Sequence, residues 1–151
     1  MTATTPQELQ DLFARSVQLL ADGKIEEWVD LFAEDGVLEF PYPAWGFPSR
    51  MQGRAELLAQ MGLFGQQLEV EFSAPEFYPT AGDGLVIAAF TGECTLRATG
   101  GRYHQTYLSV VRFDAQGRIA HYRDFWNPWL VMEAAGGELP WKQALQALAQ
   151  G

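Results

Sequence analysis

The last strand of the chain is predicted within Arg118-Ile119-Ala120-His121-Tyr122-Arg123-Asp124-Phe125-Trp126-Asn127-Pro128. Side chains alternate along a strand, so Tyr122, Asp124 and Trp126 are expected to share one face. A carboxylate between two aromatic side chains is unfavourable unless it is paired, hydrated or used in chemistry. Asp124 is therefore the first candidate for a functional residue.

Two interpretations of Asp124 are open at this point. In the first, apolar surroundings raise the pKa of the carboxyl, which suits it to proton transfer because a general acid/base works best with a pKa near the working pH. In the second, the carboxylate is ionised and hydrogen-bonded to a helix end or to Asn127, where it serves only to fix the fold.

Length and composition predict a single domain comprising residues 1–151. A chain of 151 residues, 48% of them hydrophobic, is long enough to bury a substantial core. The net charge of −9 argues against nucleic acid or an anionic membrane surface as partner. No apolar run reaches the roughly 18 residues of a membrane span, and the N-terminus lacks the features of a signal peptide. The single Cys94 cannot form an internal disulfide, and the sequence has no Cys/His spacing typical of a metal site, so we expect a cytoplasmic, metal-free protein.

The first half of the chain is predicted to be mainly helical. Thr5-Pro6-Gln7-Glu8 reads as a capping box with proline at the first helical position. A second, short helix follows Asp22-Gly23. Residues 33–36 are expected to form a turn that leads into a strand over residues 37–40. A third helix is predicted from about residue 54 to about residue 64.

The second half is predicted to be mainly β. Strands are expected at residues 68–72, 85–97 and 102–113, and Gly100-Gly101 indicates a hairpin between the last two. Asn127 and Pro128 begin a short helix, and a last helix is expected from 140 to about 149. Helices followed by an antiparallel meander predict an α+β fold, with the helices on one face of a curved sheet.

This order of elements, with Asp22-Gly23-Lys24 and Asp30-Leu31-Phe32-Ala33-Glu34-Asp35-Gly36, resembles the nuclear transport factor 2-like superfamily. Within it, Glu39-Phe40-Pro41-Tyr42-Pro43 and Tyr122-Arg123-Asp124-Phe125-Trp126-Asn127-Pro128 are most similar to SnoaL-like polyketide cyclases and phenazine-biosynthesis A/B-type proteins. The resemblance implies a conical half-barrel of curved, mostly antiparallel sheet, closed by N-terminal helices around a deep apolar pocket. It also implies a homodimer formed through the sheet.

The resemblance also indicates which reactions the site residues can support. Steroid isomerases of the same superfamily use three catalytic side chains, whose positions correspond here to Ser16, Phe40 and Ser109. None of these three side chains suits that reaction. The acid/base glutamate of phenazine-type proteins matches Asp124, whereas their pocket histidine falls near Gln60, which does not titrate. The resemblance therefore favours an acid/base role for Asp124 and disfavours steroid isomerisation.

The lining of the pocket is predicted from strand alternation together with the resemblance. Tyr107 and Ser109 are expected to point inward beside Tyr122 and Asp124, where a phenol hydroxyl would orient a carbonyl group. For each aromatic taken singly, core packing is the alternative. The predicted catalytic residues are Asp124, Tyr107 and Tyr122, and the predicted ligand-binding residues are Phe40, Tyr42, Trp45, Gln60, Ser109 and Trp126.

Three further titratable residues are predicted to face away from the pocket. His104 lies on the opposite face from Tyr107, and His121 and Glu39 alternate with inward-facing neighbours. A β-bulge or a register shift of one residue would reverse this placement.

The sequence leaves two classes of function open. The first is an acid/base enzyme without a cofactor, of the isomerase, cyclase or dehydratase type, acting on a flat, apolar, oxygenated small molecule. The second is a non-catalytic ligand-binding or regulatory module with the same fold. A lone carboxylate among aromatics favours the first class, and Gln60 in place of a histidine favours the second.

Overall fold

The structure is a computed structural model that describes residues 5–150, apart from the side chains of Phe64, Glu138 and Leu139. Residues 1–4, on which the expected absence of a signal peptide partly rests, lie outside the described residues. The described residues form, in chain order, α1 (Pro6–Ala21), α2 (Ile25–Asp30), β1 (Phe32–Glu39), β2 (Arg50–Gln52), α3 (Arg54–Gln67), β3 (Leu68–Phe72), β4 (Glu76–Tyr78), β5 (Leu85–Leu96), β6 (Arg102–Phe113), β7 (Ile119–Phe125), α4 (Pro128–Ala134) and α5 (Glu138–Gln150). None of these helices is both long and apolar enough to cross a membrane.

The first helix begins where its capping residues predict. Thr5 Oγ1 accepts a hydrogen bond from the Glu8 backbone N–H at 3.2 Å, and Glu8 Oε2 accepts one from the Thr5 N–H at 3.1 Å. This reciprocal pair satisfies backbone donors that the start of a helix leaves without partners. The buried stripe of Leu9, Phe13 and Val17 packs α1 onto β3 and β5.

β1 begins at Phe32, and the turn predicted at residues 33–36 is wrong. Phe32 pairs in parallel with Ile119 of β7, and the register shifts between Phe32 and Val37. Gly36 lies at this irregularity, where an added Cβ would stand 2.8 Å from the Ile119 carbonyl oxygen. The glycine therefore permits a close approach of two strands rather than a reversal of the chain.

The strands form one curved sheet that does not close, in the order β2-β1-β7-β6-β5-β3, with β4 also paired to β5. β1 and β7 run parallel, and the other pairs run antiparallel. The predicted α+β fold with a mostly antiparallel curved sheet is confirmed. β5 and β6 form the predicted long hairpin.

Two short strands were not predicted, and some helices end at residues other than those predicted. β2 and β4 have three residues each, which is too short for alternation to be recognised. α3 continues to Gln67, beyond the predicted end near residue 64, and α5 begins at Glu138 rather than at residue 140. These differences leave the placement of β6 and β7 unchanged.

The buried apolar residues form two clusters. The first lies between the N-terminal helices and the concave face of the sheet and includes Phe13 and Trp28. The second includes Ala44 and Trp141 and joins the loop after β1 to α4 and α5. Trp126 packs against both clusters, so it connects the sheet to the C-terminal helices.

Candidate functional site

A cavity of about 510 Å³ lies between the helices and the concave face of the sheet. Strands β6 and β7 supply a polar wall that includes Gln105, Tyr107 and Asp124. The other walls are mostly apolar and come from α1, α2, α3, β3 and α5. A cavity of this volume and character suits a small organic molecule.

Asp124 lies on the cavity wall and is held there by Ser109. The register of β6 and β7 places the two residues opposite each other, and Ser109 Oγ donates a hydrogen bond to Asp124 Oδ1 at 2.9 Å. Asp124 is partly exposed and lines the cavity, whereas Ser109 is completely buried and does not line the cavity, in contrast to its predicted place among the ligand-binding residues. Ser109 thus positions the carboxyl from the protein side and leaves its cavity side accessible to a ligand.

Burial raises the pKa of the Asp124 carboxyl to about 7, and the hydrogen bond from Ser109 opposes the shift. The physical cause is that apolar surroundings disfavour the charged form of the group. Both protonation states are therefore populated near neutral pH, which is the condition for a general acid/base.

The geometry does not support the alternative role of Asp124, in which an ionised carboxylate is hydrogen-bonded to the following helix end. Asn127 caps α4 with its own side chain, which accepts a hydrogen bond from the Trp129 backbone N–H at 3.1 Å. A carboxylate that accepted bonds from a helix end would have a lowered pKa, whereas the pKa of Asp124 is raised.

Tyr122 is packed at the floor of the cavity. Its ring stacks on Phe13 and Phe32, with centroids 5.9 and 6.2 Å away, and its hydroxyl lies 3.5 Å from Ser109 Oγ. Burial first, and the charge of Asp124 second, raise the pKa of Tyr122, so the phenol stays protonated. Tyr122 is therefore a packed residue whose hydroxyl supports the position of Ser109.

Tyr107 lines the cavity as predicted, beside a second phenol, Tyr103, that the sequence analysis did not select. The Tyr107 hydroxyl lies 3.6 Å from Cys94 Sγ, and its ring stacks on Phe90 at 5.0 Å. Burial is the main cause of the raised pKa of both phenols and of the Cys94 thiol. All three groups therefore stay uncharged near neutral pH.

Three of the predicted ligand-binding residues lie at the cavity. Phe40 is buried and meets Trp126 edge to face, with ring centroids 5.4 Å apart. Gln60 lies on the cavity from α3. Their placement agrees with the sequence analysis, and their contact with a ligand stays a prediction.

Tyr42 and Trp45 do not line the cavity, so this part of the predicted lining is wrong. Tyr42 is 64% exposed and packs on Phe125. Trp45 is 47% exposed, and the Lys142 ammonium lies 4.2 Å from its ring centroid. The neighbouring Phe47 of the same loop lines the cavity instead.

His104, His121 and Glu39 face away from the cavity, as alternation predicts. His104 Nδ1 contacts the Glu93 carboxylate, and His121 Nε2 lies 3.0 Å from Glu39 Oε1. Both pairs lie on the outer face of the sheet. No group of three or more His, Cys, Asp or Glu side chains in the described part of the chain is arranged to hold a metal ion.

Gln105 is a further polar residue of the cavity that was not among the predicted site residues. It is 1% exposed; its Nε2 donates to the Asn127 carbonyl at 2.8 Å, and its Oε1 accepts from the Asn127 N–H at 2.9 Å. Alternation along β6 puts Tyr103 and Gln105 on the same face as Tyr107, so the signal was present in the strand.

The fold and this site define the class of protein. The chain matches the model of the SnoaL-like domain over residues 13–122 and belongs to the SnoaL-like family. The predicted relationship to the nuclear transport factor 2-like superfamily and to PhzA/B-type proteins is confirmed.

Individual relatives agree with this assignment. The chain is 42% identical over 128 residues to an uncharacterized PhzA/B-like protein of Pseudomonas aeruginosa, a match that covers 85% of this chain and 90% of that protein. A proposed isomerase from Bacillus subtilis has a solved structure with a TM-score of 0.80 and 34% identity, covering 85% of this chain and 92% of that one. A phenazine biosynthesis-related protein of Pseudomonas aeruginosa shares the fold, with a TM-score of 0.69 and 19% identity over 93% of this chain and 90% of that one.

Proposed function

We propose that the cavity binds a flat, apolar, oxygenated small molecule and that Asp124 moves a proton on it without a cofactor. The observation that carries the proposal is a carboxyl with a pKa of about 7 on the polar wall of an otherwise apolar cavity. The reaction type is isomerisation, cyclisation or dehydration, since each needs a proton to be removed and returned. The Bacillus subtilis relative described as a proposed isomerase supports this choice.

The proton transfer follows from the state of the carboxyl. In its ionised form, Asp124 accepts a proton from a carbon next to a carbonyl group, and the C–H electron pair delocalises onto the carbonyl oxygen. The protonated carboxyl then returns the proton to the same carbon, to another carbon or to a leaving oxygen. Ser109 Oγ donates to Oδ1, which is able to accept this bond in either state when the proton is carried by Oδ2, so the group can keep its orientation as its charge changes.

A hydrogen-exchange assay with a small flat ketone tests this function. β-Tetralone has acidic hydrogens beside its carbonyl group, and their replacement in D₂O is followed by proton NMR. We expect the protein to accelerate the exchange and Asp124→Asn to reduce the acceleration by about 10²–10⁴-fold, the usual contribution of a general acid/base. Asp35→Asn, which removes an exposed carboxylate on β1, is the matched control.

The second candidate function is a binding module without catalysis. Gln60, which lies on the cavity and cannot titrate, is the observation that favours it. In the same assay, this candidate is supported if β-tetralone binds and its exchange is no faster than in buffer. An Asp124→Asn protein that exchanges as fast as the unchanged protein would rule out the catalytic proposal.

A further inference from the structure

Two phenol hydroxyls in the cavity share one poor partner. Tyr103 and Tyr107 lie on the same face of β6 and both line the cavity. Cys94 of β5 is the register partner of Tyr103, interacts with the Tyr103 hydroxyl, and has its Sγ 3.6 Å from the Tyr107 hydroxyl. The three side chains therefore form one cluster at the β5–β6 end of the polar wall.

Sulfur leaves these hydroxyls available to a ligand. A thiol is a weak donor and a weak acceptor, so a buried phenol gains little from it and retains most of its tendency to donate to an oxygen. The raised pKa values of Tyr103 and Tyr107 keep both O–H groups protonated. An oxygen atom that entered the cluster would replace a weak contact with two stronger ones.

The charges around the cavity restrict the kind of chemical group that can supply this oxygen. Among the described residues that line the cavity there is no lysine, arginine or histidine, and Asp124 is the one acidic side chain. An anionic ligand would be desolvated there without a compensating positive charge, in a chain of net charge −9. A neutral carbonyl oxygen needs only hydrogen-bond donors, which the two phenols supply.

We propose that Tyr103 and Tyr107 form a two-donor subsite for a neutral carbonyl oxygen of the ligand. This inference rests on the proposed function and adds the position of the reacting oxygen. On β6, the next inward-facing residue after Tyr107 is Ser109, whose Cα lies about 7 Å further along the strand. Ser109 pairs with Asp124 of β7 and holds its carboxyl. Tyr103, Tyr107 and Asp124 all line the same cavity, so a ligand whose carbonyl oxygen is held by the phenols can extend along the polar wall toward the carboxyl.

Three molecules with one ring skeleton test the subsite: fluorenone, which has the carbonyl group, fluorene, which lacks it, and fluorene carboxylate, which is anionic. Binding is measured by quenching of tryptophan fluorescence. We expect fluorenone to bind more tightly than fluorene, and fluorene carboxylate not to bind. Tyr103→Phe and Tyr107→Phe are each expected to weaken fluorenone binding by about 3–10-fold, the range of one net hydrogen bond, without changing fluorene binding. Tyr78→Phe, at an exposed tyrosine of β4, is the control.

A second readout does not depend on the variants. The infrared carbonyl stretch of bound fluorenone is expected at a lower frequency than in an apolar solvent, because two O–H groups donate to the oxygen. A stretch equal to that in the apolar solvent, or equal affinities for fluorenone and fluorene, overturns the subsite and leaves the ligand cavity standing. Fluorene carboxylate bound as tightly as fluorenone overturns the restriction to neutral ligands. If none of the three binds, the proposed function fails and the subsite falls with it.

Discussion

At Asp124, the pKa of one carboxyl links proton transfer to the stability of the fold. A group with a raised pKa binds its proton more tightly in the folded than in the unfolded chain. Its ionisation therefore destabilises the folded protein in the same pH range in which it becomes useful as a base. This is the trade-off expected where a functional group is kept in an unfavourable environment.

The first prediction follows from the sign of this linkage. Between about pH 4, the ordinary value for aspartate, and about pH 7, the folded state holds more protons than the unfolded state. The contribution of Asp124 to the free energy of unfolding therefore falls as the pH rises through this window and levels off above it. Asp124→Asn removes this contribution, so the variant is expected to be more stable than the unchanged protein by about 1–3 kcal/mol above pH 8, somewhat less than the full pKa shift implies because the cavity admits water.

Urea unfolding at a series of pH values measures this difference. The difference is expected to shrink as the pH falls and to be nearly lost by about pH 4, where Asp124 is protonated in the folded chain and about half protonated in the unfolded chain. Asp35→Asn serves as the control for the loss of one negative charge. A variant that is less stable than the unchanged protein at every pH would show that the carboxylate has a structural role.

The second prediction concerns Ser109. Its hydrogen bond lowers the pKa of Asp124 against the effect of burial, so Ser109→Ala is expected to raise that pKa further. Isotope-edited NMR of the aspartate side chains measures the titration directly, and the pH dependence of β-tetralone exchange should shift in the same direction. Thr106→Ala, on the outer face of the same strand, is expected to leave the pKa of Asp124 unchanged. If the pKa of Asp124 were the same in Ser109→Ala as in the unchanged protein, Ser109 would have no positioning role.

At the scale of elements, Gln105 joins β6 to the start of α4. Its amide group satisfies both the N–H and the carbonyl oxygen of Asn127, and Asn127 caps the helix. The residue before it, Trp126, packs against both apolar clusters. The buried side chain of Gln105 therefore fixes the junction between the polar wall of the cavity and the C-terminal helix α4.

The third prediction tests this connection. Gln105→Met keeps the approximate volume but leaves two backbone groups of Asn127 without partners. We expect a loss of about 2–4 kcal/mol of stability, since each buried unsatisfied group costs about 1–3 kcal/mol. Hydrogen exchange should rise in α4 more than in α1. Gln116→Met, at an exposed turn position, is the control, and equal exchange in α4 for both variants would contradict the proposed connection.

The elements that were predictable from sequence are those with strong local signals. β6 was predicted with its bounds correct because alternation runs through twelve residues, and α1 because Thr5 and Glu8 form a complete capping box. The early start of β1 was not predictable, since Ala33 and Gly36 are read locally as a turn, and only the partner strand β7 explains the glycine.

The candidate site was predictable to the extent that strand parity determines it. Asp124 and Tyr107 were found because period two separates the residues of β6 and β7 into two faces, and the family resemblance indicated which face points inward. Cys94 was not found, because its proximity to Tyr107 depends on the register between β5 and β6. Tyr42 and Trp45 were misplaced because a loop with several prolines has no period from which a direction is inferred.

At the scale of the whole molecule, the outer face of the sheet is left uncovered along β6. The side chains on this face are His104, Thr106, Leu108 and Val110, which alternate with those that face the cavity, and Leu108 is 40% exposed. The His104–Glu93 and His121–Glu39 pairs on this face are formed within one chain, so the apolar positions between them are available for a partner. An apolar centre with a polar rim is the composition of a protein interface.

The fourth prediction is a homodimer formed through this face, the arrangement that the family resemblance implies. Light scattering at micromolar concentration is expected to return twice the mass of one chain. In a twofold dimer each substitution acts on both sides of the interface, so Leu108→Glu places two carboxylates into its apolar centre and is expected to give monomers. Leu58→Glu adds the same charge at an equally exposed leucine of α3 and is expected to leave the dimer intact. A monomeric mass for the unchanged protein would contradict the prediction, and a dimer that persists in Leu108→Glu would move the interface away from β6.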